Sequence, residues 1–93
     1  MDPKFVQASA TILNKRGLHA RASAKFVETA ARFTCDVTVR KGDTRVSARS
    51  IMGLMMLGAS KGTAIELVAM GPDADEAIAA LLALIAARFH EDA

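Results

Sequence analysis

The chain has 93 residues, a length that predicts one small domain over residues 1–93 with a single core. Hydrophobic residues make up 52% and charged residues 24%, a balance that is typical of a folded chain and excludes long disorder. A formal net charge of only +2 and the absence of Trp and Tyr argue against a dedicated nucleic-acid binder.

Cysteine usage and apolar runs indicate a cytoplasmic protein. Cys35 is the only cysteine, so no internal disulfide can form, and its alternation with Val37 and Val39 predicts a small core side chain. The N-terminal residues hold no apolar signal core, and the longest apolar stretch, residues 77–87, is well short of the roughly 20 residues of a membrane span. Two histidines and one cysteine make a zinc site improbable, and no cofactor is expected.

Two periodicities predict a strand and then a helix at the start of the chain. Apolar and polar residues alternate over residues 6–12, which predicts a strand that ends at Asn14. A 3.6-residue period begins just after His19 and predicts an amphipathic helix. Its apolar series consists of Ala22, Phe26, Ala30 and Phe33.

The middle of the chain predicts a β-hairpin followed by a short helix. Two alternating runs, residues 35–40 and 45–49, are joined by a tight turn at residues 41–43. Ser50 and Gly58 then bracket a helix over residues 51–57 as its cap and its stop. Its methionines divide between core and surface: flexible thioethers suit a docking patch, but core packing explains any single one equally well. These methionines are Met52, Met55 and Met56.

The last part predicts a fourth strand and a third helix. Ile65, Leu67 and Ala69 share one face of the strand. Asp73 is expected to cap the helix, with Glu76 in capping-box register. The predicted buried stripe of this helix is Ile78, Leu81, Leu82, Ile85 and Phe89.

The element order βαββαβα predicts an α+β fold. Polar residues occur on every strand, so one face of the sheet is expected to be solvated. Helices should therefore cover only the other face, in a two-layer sandwich with an antiparallel sheet.

The segment Gly17-Leu18-His19-Ala20-Arg21 carries the most informative chemistry. A helix start offers unpaired backbone N–H groups and partial positive charge to a phosphoryl group on His19, and Arg21 can add a forked guanidinium. Neutral imidazole is a nitrogen nucleophile, and the helix dipole disfavours its cation. A lone histidine at a helix start is nevertheless commonly a cap, and Arg21 alone is equally well a solvated charge.

Two further polar residues have structural explanations. Ser50 as an N-cap is worth on the order of 1 kcal/mol, although a phosphate added there would also meet a favourable dipole. His90 is predicted in the last turn of the third helix, where a partly protonated ring suits the dipole and no reactivity is implied.

Several stretches together resemble the HPr family of phosphocarrier proteins of the phosphoenolpyruvate-dependent phosphotransferase system. They are Asn14 through Arg21, Ser50-Ile51-Met52, Leu57-Gly58 and Lys61-Gly62-Thr63, in the family's order and spacing. The resemblance runs from about Phe5 to Phe89 and implies an open-faced β-sandwich of four antiparallel strands with three helices on one face.

The resemblance implies a carrier of phosphate rather than an enzyme. His19 would accept a phosphoryl group through Nδ1 from the phosphohistidine of Enzyme I and hand it to a histidine of an EIIA protein, with Arg21 steadying the phosphate. Ser50 matches the regulatory serine that HPr kinase/phosphorylase modifies in many members. The docking positions for Enzyme I and EIIA would be Ile51, Met52 and Met55. A monomer that binds neither nucleic acid nor membrane is expected.

Two departures from the family pattern bear on function. Ala22 stands where most members have a proline, which removes a rigid first helical residue. Glu28, Ala31 and Gly53 stand where sugar-system members often carry lysines. The Asn-Lys opening of the motif and Ala20 resemble the nitrogen-related branch more closely. These features favour a regulatory phosphorelay over bulk sugar uptake.

Two other functions remain open at the level of sequence. A regulatory binding module would use phosphate on His19 or Ser50 only as a signal. A small hydrolase with His19 as its base would lack a second catalytic group.

Overall fold

The computed structural model describes residues 4–91. Four strands and three helices follow one another in the predicted order βαββαβα. A short left-handed turn, which we call the C-terminal turn, follows the last helix. In chain order the elements are β1 (Phe5–Thr11), α1 (Ala20–Ala30), β2 (Asp36–Lys41), β3 (Thr44–Ser47), α2 (Ile51–Met56), β4 (Ala64–Met70), α3 (Ala74–Ala86) and the C-terminal turn (Arg88–His90).

The four strands form one antiparallel sheet in the order β1-β4-β2-β3. Strand β4 lies at the centre, where Leu67 pairs with Ala8 of β1 and with Val39 of β2. Burial alternates along β2 and β4, and the buried sides face one hydrophobic core. Helix α3 packs on β1 and β4, α2 packs on β3, and α1 packs on both other helices. The predicted α+β sandwich with one solvated sheet face is confirmed.

The first half follows the predicted pattern but differs at element ends. The hairpin strands predicted over residues 35–40 and 45–49 span Asp36–Lys41 and Thr44–Ser47. Strand β1 ends at Thr11, three residues before the predicted end, and Asn14 is fully buried in the loop that follows. Helix α1 ends at Ala30, so Phe33 lies beyond the helix and is only half-buried. Cys35 is buried in the core as predicted.

The capping box predicted for α3 does not form. Asp73 stands at the N-cap position, but its carboxylate makes no cap hydrogen bond and accepts the backbone N–H groups of Thr34 and Cys35 at 2.8 and 2.9 Å. These bonds, that of Thr34 foremost, lower the pKa of Asp73 although partial desolvation opposes them. Asp73 therefore ties α3 to the chain entering β2.

The end of α3 also differs from the prediction. The buried stripe contains Leu84, whereas Leu82 is only half-buried. The helix stops at Ala86, so neither Phe89 nor His90 belongs to it. Both lie in the C-terminal turn, where the three residues have φ of 55° to 60°. Phe89 is fully buried there and His90 is exposed.

No helix within residues 4–91 is long and apolar enough to cross a membrane. The same residues contain no group of three or more His, Cys, Asp or Glu side chains placed to hold a metal ion.

Candidate functional site

His19 occupies the N-cap position of α1. Its backbone is extended, and its carbonyl accepts the first helical hydrogen bond, from Ser23 N–H at 2.8 Å. The N–H groups of Ala20, Arg21 and Ala22 therefore precede the first residue that has an intrahelical acceptor. No side chain caps this helix end, so the donors remain available to an anion. Ala22 is the third helical residue rather than the first, and it keeps an N–H that a proline would lack.

The loop before His19 is held by backbone packing. Gly17 has φ of 67°, and a Cβ there would lie 2.4 Å from the carbonyl oxygen of Ala59 and 2.8 Å from Cα of Ser60. The next residue, Leu18, is buried and donates its N–H to the same Ala59 carbonyl at 2.9 Å. Only glycine permits this approach, which fixes where His19 leaves the loop.

The imidazole of His19 contacts a carboxylate from the far end of the chain. Nε2 of His19 is hydrogen-bonded to Oε2 of Glu91, and these side chains are only 16% and 12% exposed. The other carboxylate oxygen, Oε1, accepts the side-chain amide of Asn14 at 3.0 Å. That amide also donates to the carbonyl of Gly17 at 2.8 Å. Asn14, Gly17, His19 and Glu91 thus form one hydrogen-bonded group.

The carboxylate of Glu91 is held in its charged form. Burial, the largest influence, raises its pKa, but hydrogen bonds from His19 and Asn14, together with the nearby charge of Arg16, outweigh it. The net result is a pKa below the ordinary value. An ionised carboxylate only accepts hydrogen bonds, so Nε2 of His19 must carry the shared proton.

Arg21 is the second residue of α1, in its first turn, and is exposed. It forms no ion pair or side-chain hydrogen bond with another residue of the described range 4–91. The guanidinium therefore has no partner within that range that fixes it, and an incoming anion would not have to displace one.

The second predicted region lies on α2, which packs against α1. Ser50 caps α2, and its hydroxyl accepts the N–H of Gly53 at 2.9 Å, as predicted. Leu54 and Leu57 are buried, whereas Met52 and Met56 are 69% and 75% exposed. Ile51 and Met55 are each 42% exposed. We call the four exposed side chains the α2 patch: Ile51, Met52, Met55 and Met56.

Comparison with known proteins assigns the chain to a family. The family described as the PTS HPr component phosphorylation site matches residues 6–87. The chain belongs to the HPr family. Its members are phosphocarrier proteins and not catalytic enzymes, and the phosphotransferase-system resemblance drawn from the motifs is confirmed.

Individual HPr relatives match over almost their whole length. Phosphocarrier protein HPr of Neisseria meningitidis serogroup A is 55% identical over 87 residues, which cover 94% of this chain and 98% of the relative. Phosphocarrier protein NPr of Shewanella violacea is 42% identical over 86 residues, with coverage of 92% and 94%. The crystal structure of HPr-C-His from Thermoanaerobacter tengcongensis superposes with a TM-score of 0.90 at 45% identity, covering 95% of this chain and 99% of that one.

Two residues of the site were not anticipated as site residues. Asn14 was expected to end a strand and opens the stretch that resembles the family, but it was given no role in the site, and Glu91 follows the last predicted element. The asparagine three residues before Gly17 gave only a weak indication of a site residue: a buried amide needs hydrogen-bond partners, but the sequence does not show that Asn14 is buried. Nothing in the local sequence around Glu91 indicates a contact with a residue 72 positions earlier.

Proposed function

We propose that this HPr-family protein carries a phosphoryl group on Nδ1 of His19, in the cytoplasm. Enzyme I, charged by phosphoenolpyruvate, would donate it from a phosphohistidine, and a histidine of an EIIA protein would receive it. The observation that carries the proposal is the placement of the His19 ring at the uncapped start of α1, with Nε2 occupied by Glu91. That leaves Nδ1 as the nitrogen able to attack phosphorus.

Stabilisation of the transferring group would come from two sources. Backbone N–H groups of residues 20–22 would meet the equatorial oxygens, together with the N-terminal dipole of α1. Arg21, exposed and unpaired within residues 4–91, would add a guanidinium to the same oxygens. Because the phosphate must also leave, these groups should stabilise the transfer more than the phosphorylated resting state.

The contribution of Arg21 can be measured separately. An exposed guanidinium is screened by solvent, so Arg21→Ala should slow transfer by about 10-fold rather than abolish it. Arg32→Ala, just beyond the C-terminal end of α1, removes an equal charge far from His19 in sequence and should leave the rate unchanged. Equal rates for the two variants would remove Arg21 from the site.

Partner docking is proposed for the α2 patch, including Ile51, Met52 and Met55. Its support is the exposure of four large apolar side chains on one short helix that packs against α1. Flexible thioethers would let one patch meet both Enzyme I and EIIA. Met52→Asp should weaken capture of both partners, whereas Phe5→Asp, also at an exposed apolar residue, should not.

Regulation through Ser50 is proposed beside this patch. HPr kinase/phosphorylase with ATP would place a phosphate of charge about −2 next to Ile51. The support is the position of Ser50 as the cap directly before the patch. Such a charge would disfavour apolar docking.

A second candidate is a regulatory binding module, favoured by the same α2 patch. A regulator would change its affinity for a partner on phosphorylation without passing the phosphate on. Capture of partners by the unphosphorylated and the His19-phosphorylated protein, followed by assay of phosphate on the partner, separates the two functions.

The decisive variant pair uses the two histidines. With Enzyme I and phosphoenolpyruvate, His19→Ala should take up no phosphate, and His90→Ala should take it up at the native rate. His90 is a matched control because it is exposed in the C-terminal turn. Uptake by His19→Ala at the native rate would refute the proposal.

A further inference from the structure

The C-terminal turn is built so that it carries Glu91 to His19. Its three residues, Arg88 to His90, have positive φ, a conformation that is strained for residues other than glycine. Phe89 is fully buried, and its carbonyl accepts Nζ of Lys25 on α1 at 2.6 Å. Burial of a phenylalanine and this charge-assisted bond offset the strain, and the chain then reaches the start of α1.

The carboxylate is fixed in rotation as well as in place. Oε1 faces the amide NH₂ of Asn14, and Oε2 faces Nε2 of His19. The amide of Asn14 cannot be reversed, because its NH₂ donates to two oxygens, those of Gly17 and Glu91. The fully buried Asn14 therefore determines which oxygen of Glu91 meets the imidazole ring.

We propose that Glu91 is a positioning residue for phosphoryl transfer, because it holds the His19 proton on Nε2 and leaves the Nδ1 lone pair for phosphorus. This inference rests on the proposed function of His19. A neutral imidazole has one protonated nitrogen, so fixing the proton on Nε2 selects the reactive tautomer.

Charge balance gives the same carboxylate a second effect. The Nδ1 lone pair of His19 forms the new N–P bond while the N–P bond of the donor phosphohistidine breaks, and that electron pair returns to the donor's nitrogen. The Nε2 proton stays in place, so the His19 ring becomes positively charged. The carboxylate of Glu91 stabilises the developing charge, as a buried acid does for a catalytic imidazole. When the phosphoryl group leaves Nδ1, the ring loses its positive charge and the hydrogen bond between neutral His19 and Glu91 is restored.

A glutamine at position 91 tests this reasoning better than an alanine. In Glu91→Gln the side-chain carbonyl keeps the bond from Asn14, so the new NH₂ faces Nε2 of His19 and needs an acceptor there. The ring proton is then driven to Nδ1, which blocks the nucleophile. Glu91→Gln should therefore be slower than Glu91→Ala, although glutamine fills the same space.

The experiment combines ¹⁵N NMR of the isolated protein with the rate of phosphorylation by Enzyme I and phosphoenolpyruvate. The native ring should be protonated on Nε2, Glu91→Ala should lose the preference and react about 10-fold more slowly, and Glu91→Gln should be protonated on Nδ1 and react more slowly still. Glu76→Ala, an exposed glutamate on α3, controls for lost charge and should match the native protein. Circular dichroism verifies that each variant is folded.

Three results would overturn the inference: a native ring protonated on Nδ1, native rates for both Glu91 variants, or faster phosphorylation of Glu91→Ala. The last would mean that the carboxylate shields His19 from phosphate. Failure of the underlying function is seen separately, as phosphate uptake by His19→Ala, and does not affect the tautomer measurement.

Discussion

Substitution of Gly17 by alanine should destabilise the fold through the contact that places His19. The left-handed backbone at φ of 67° costs a non-glycine residue roughly 1–2 kcal/mol. The new Cβ would also lie 2.4 Å from a backbone oxygen and 2.8 Å from a backbone Cα, and such overpacking costs about 1–3 kcal/mol. Alanine also restricts the unfolded chain more than glycine does, which offsets roughly 0.4–1 kcal/mol of this destabilisation. A net loss of about 2–3 kcal/mol is expected.

Gly42→Ala is the matched control for this variant. Gly42 has φ of 58° but nothing within 4 Å of the added Cβ, so it carries the backbone cost without the clash. The difference in free energy of unfolding between the two variants should be about 2 kcal/mol, which for a domain of this size lowers Tm by roughly 8–16 °C more.

Urea and thermal unfolding followed by circular dichroism measure that difference, and the rate of phosphorylation measures its effect on the site. Because backbone must move at Ala59 and Leu18, Gly17→Ala should also slow phosphoryl uptake, whereas Gly42→Ala should not. Equal stability of the two variants would refute the argument that close packing at Ala59 positions His19.

Three further predictions concern the rest of the fold. Ser50→Ala should cost about 1 kcal/mol in urea unfolding because the Gly53 N–H loses its acceptor, and Ser50→Asp, which can also cap, should restore most of it; equal stability of Ser50→Ala and the native protein would contradict the cap. The pKa of Asp73 lies below its ordinary value of 3.8, so the stability that its carboxylate contributes is present above about pH 4 and is lost as the pH falls through the lowered pKa. In Asp73→Asn the urea midpoint should therefore change less between pH 5 and pH 2 than in the native protein. The same dependence of the midpoint on pH in both proteins would contradict this. Arg88→Gly should raise the free energy of unfolding by up to about 1 kcal/mol, since relief of strain exceeds the entropy cost of glycine, and a loss of more than 1 kcal/mol would contradict the left-handed turn.

Periodicity and cap residues predicted the sheet, the helices and the buried sides of most elements, because each of these depends on residues within one turn or one strand. The ends of the elements were harder to predict. Asp73 has the sequence pattern of a cap, but two backbone N–H groups 38 and 39 residues earlier compete for its carboxylate and bind it instead. The helical pattern of α3 continues to Phe89, yet burial of that ring is achieved by a left-handed turn that no local preference indicates.

The candidate site was half predictable for the same reason. His19, Gly17 and Arg21 are close in sequence and their spacing carries the chemistry. Glu91 meets His19 because α3 packs on β1 and β4 and the left-handed C-terminal turn brings the chain to the start of α1, a consequence of tertiary packing.

The most direct test of the central claim is the position of the phosphoryl group on the native protein after reaction with Enzyme I and phosphoenolpyruvate. Phosphorus and nitrogen NMR on the phosphorylated chain identify both the residue and the ring nitrogen. One acid-labile phosphoryl group per chain on Nδ1 of His19 is predicted. Phosphate on Nε2 of His19, on His90 or on a hydroxyl would contradict the account.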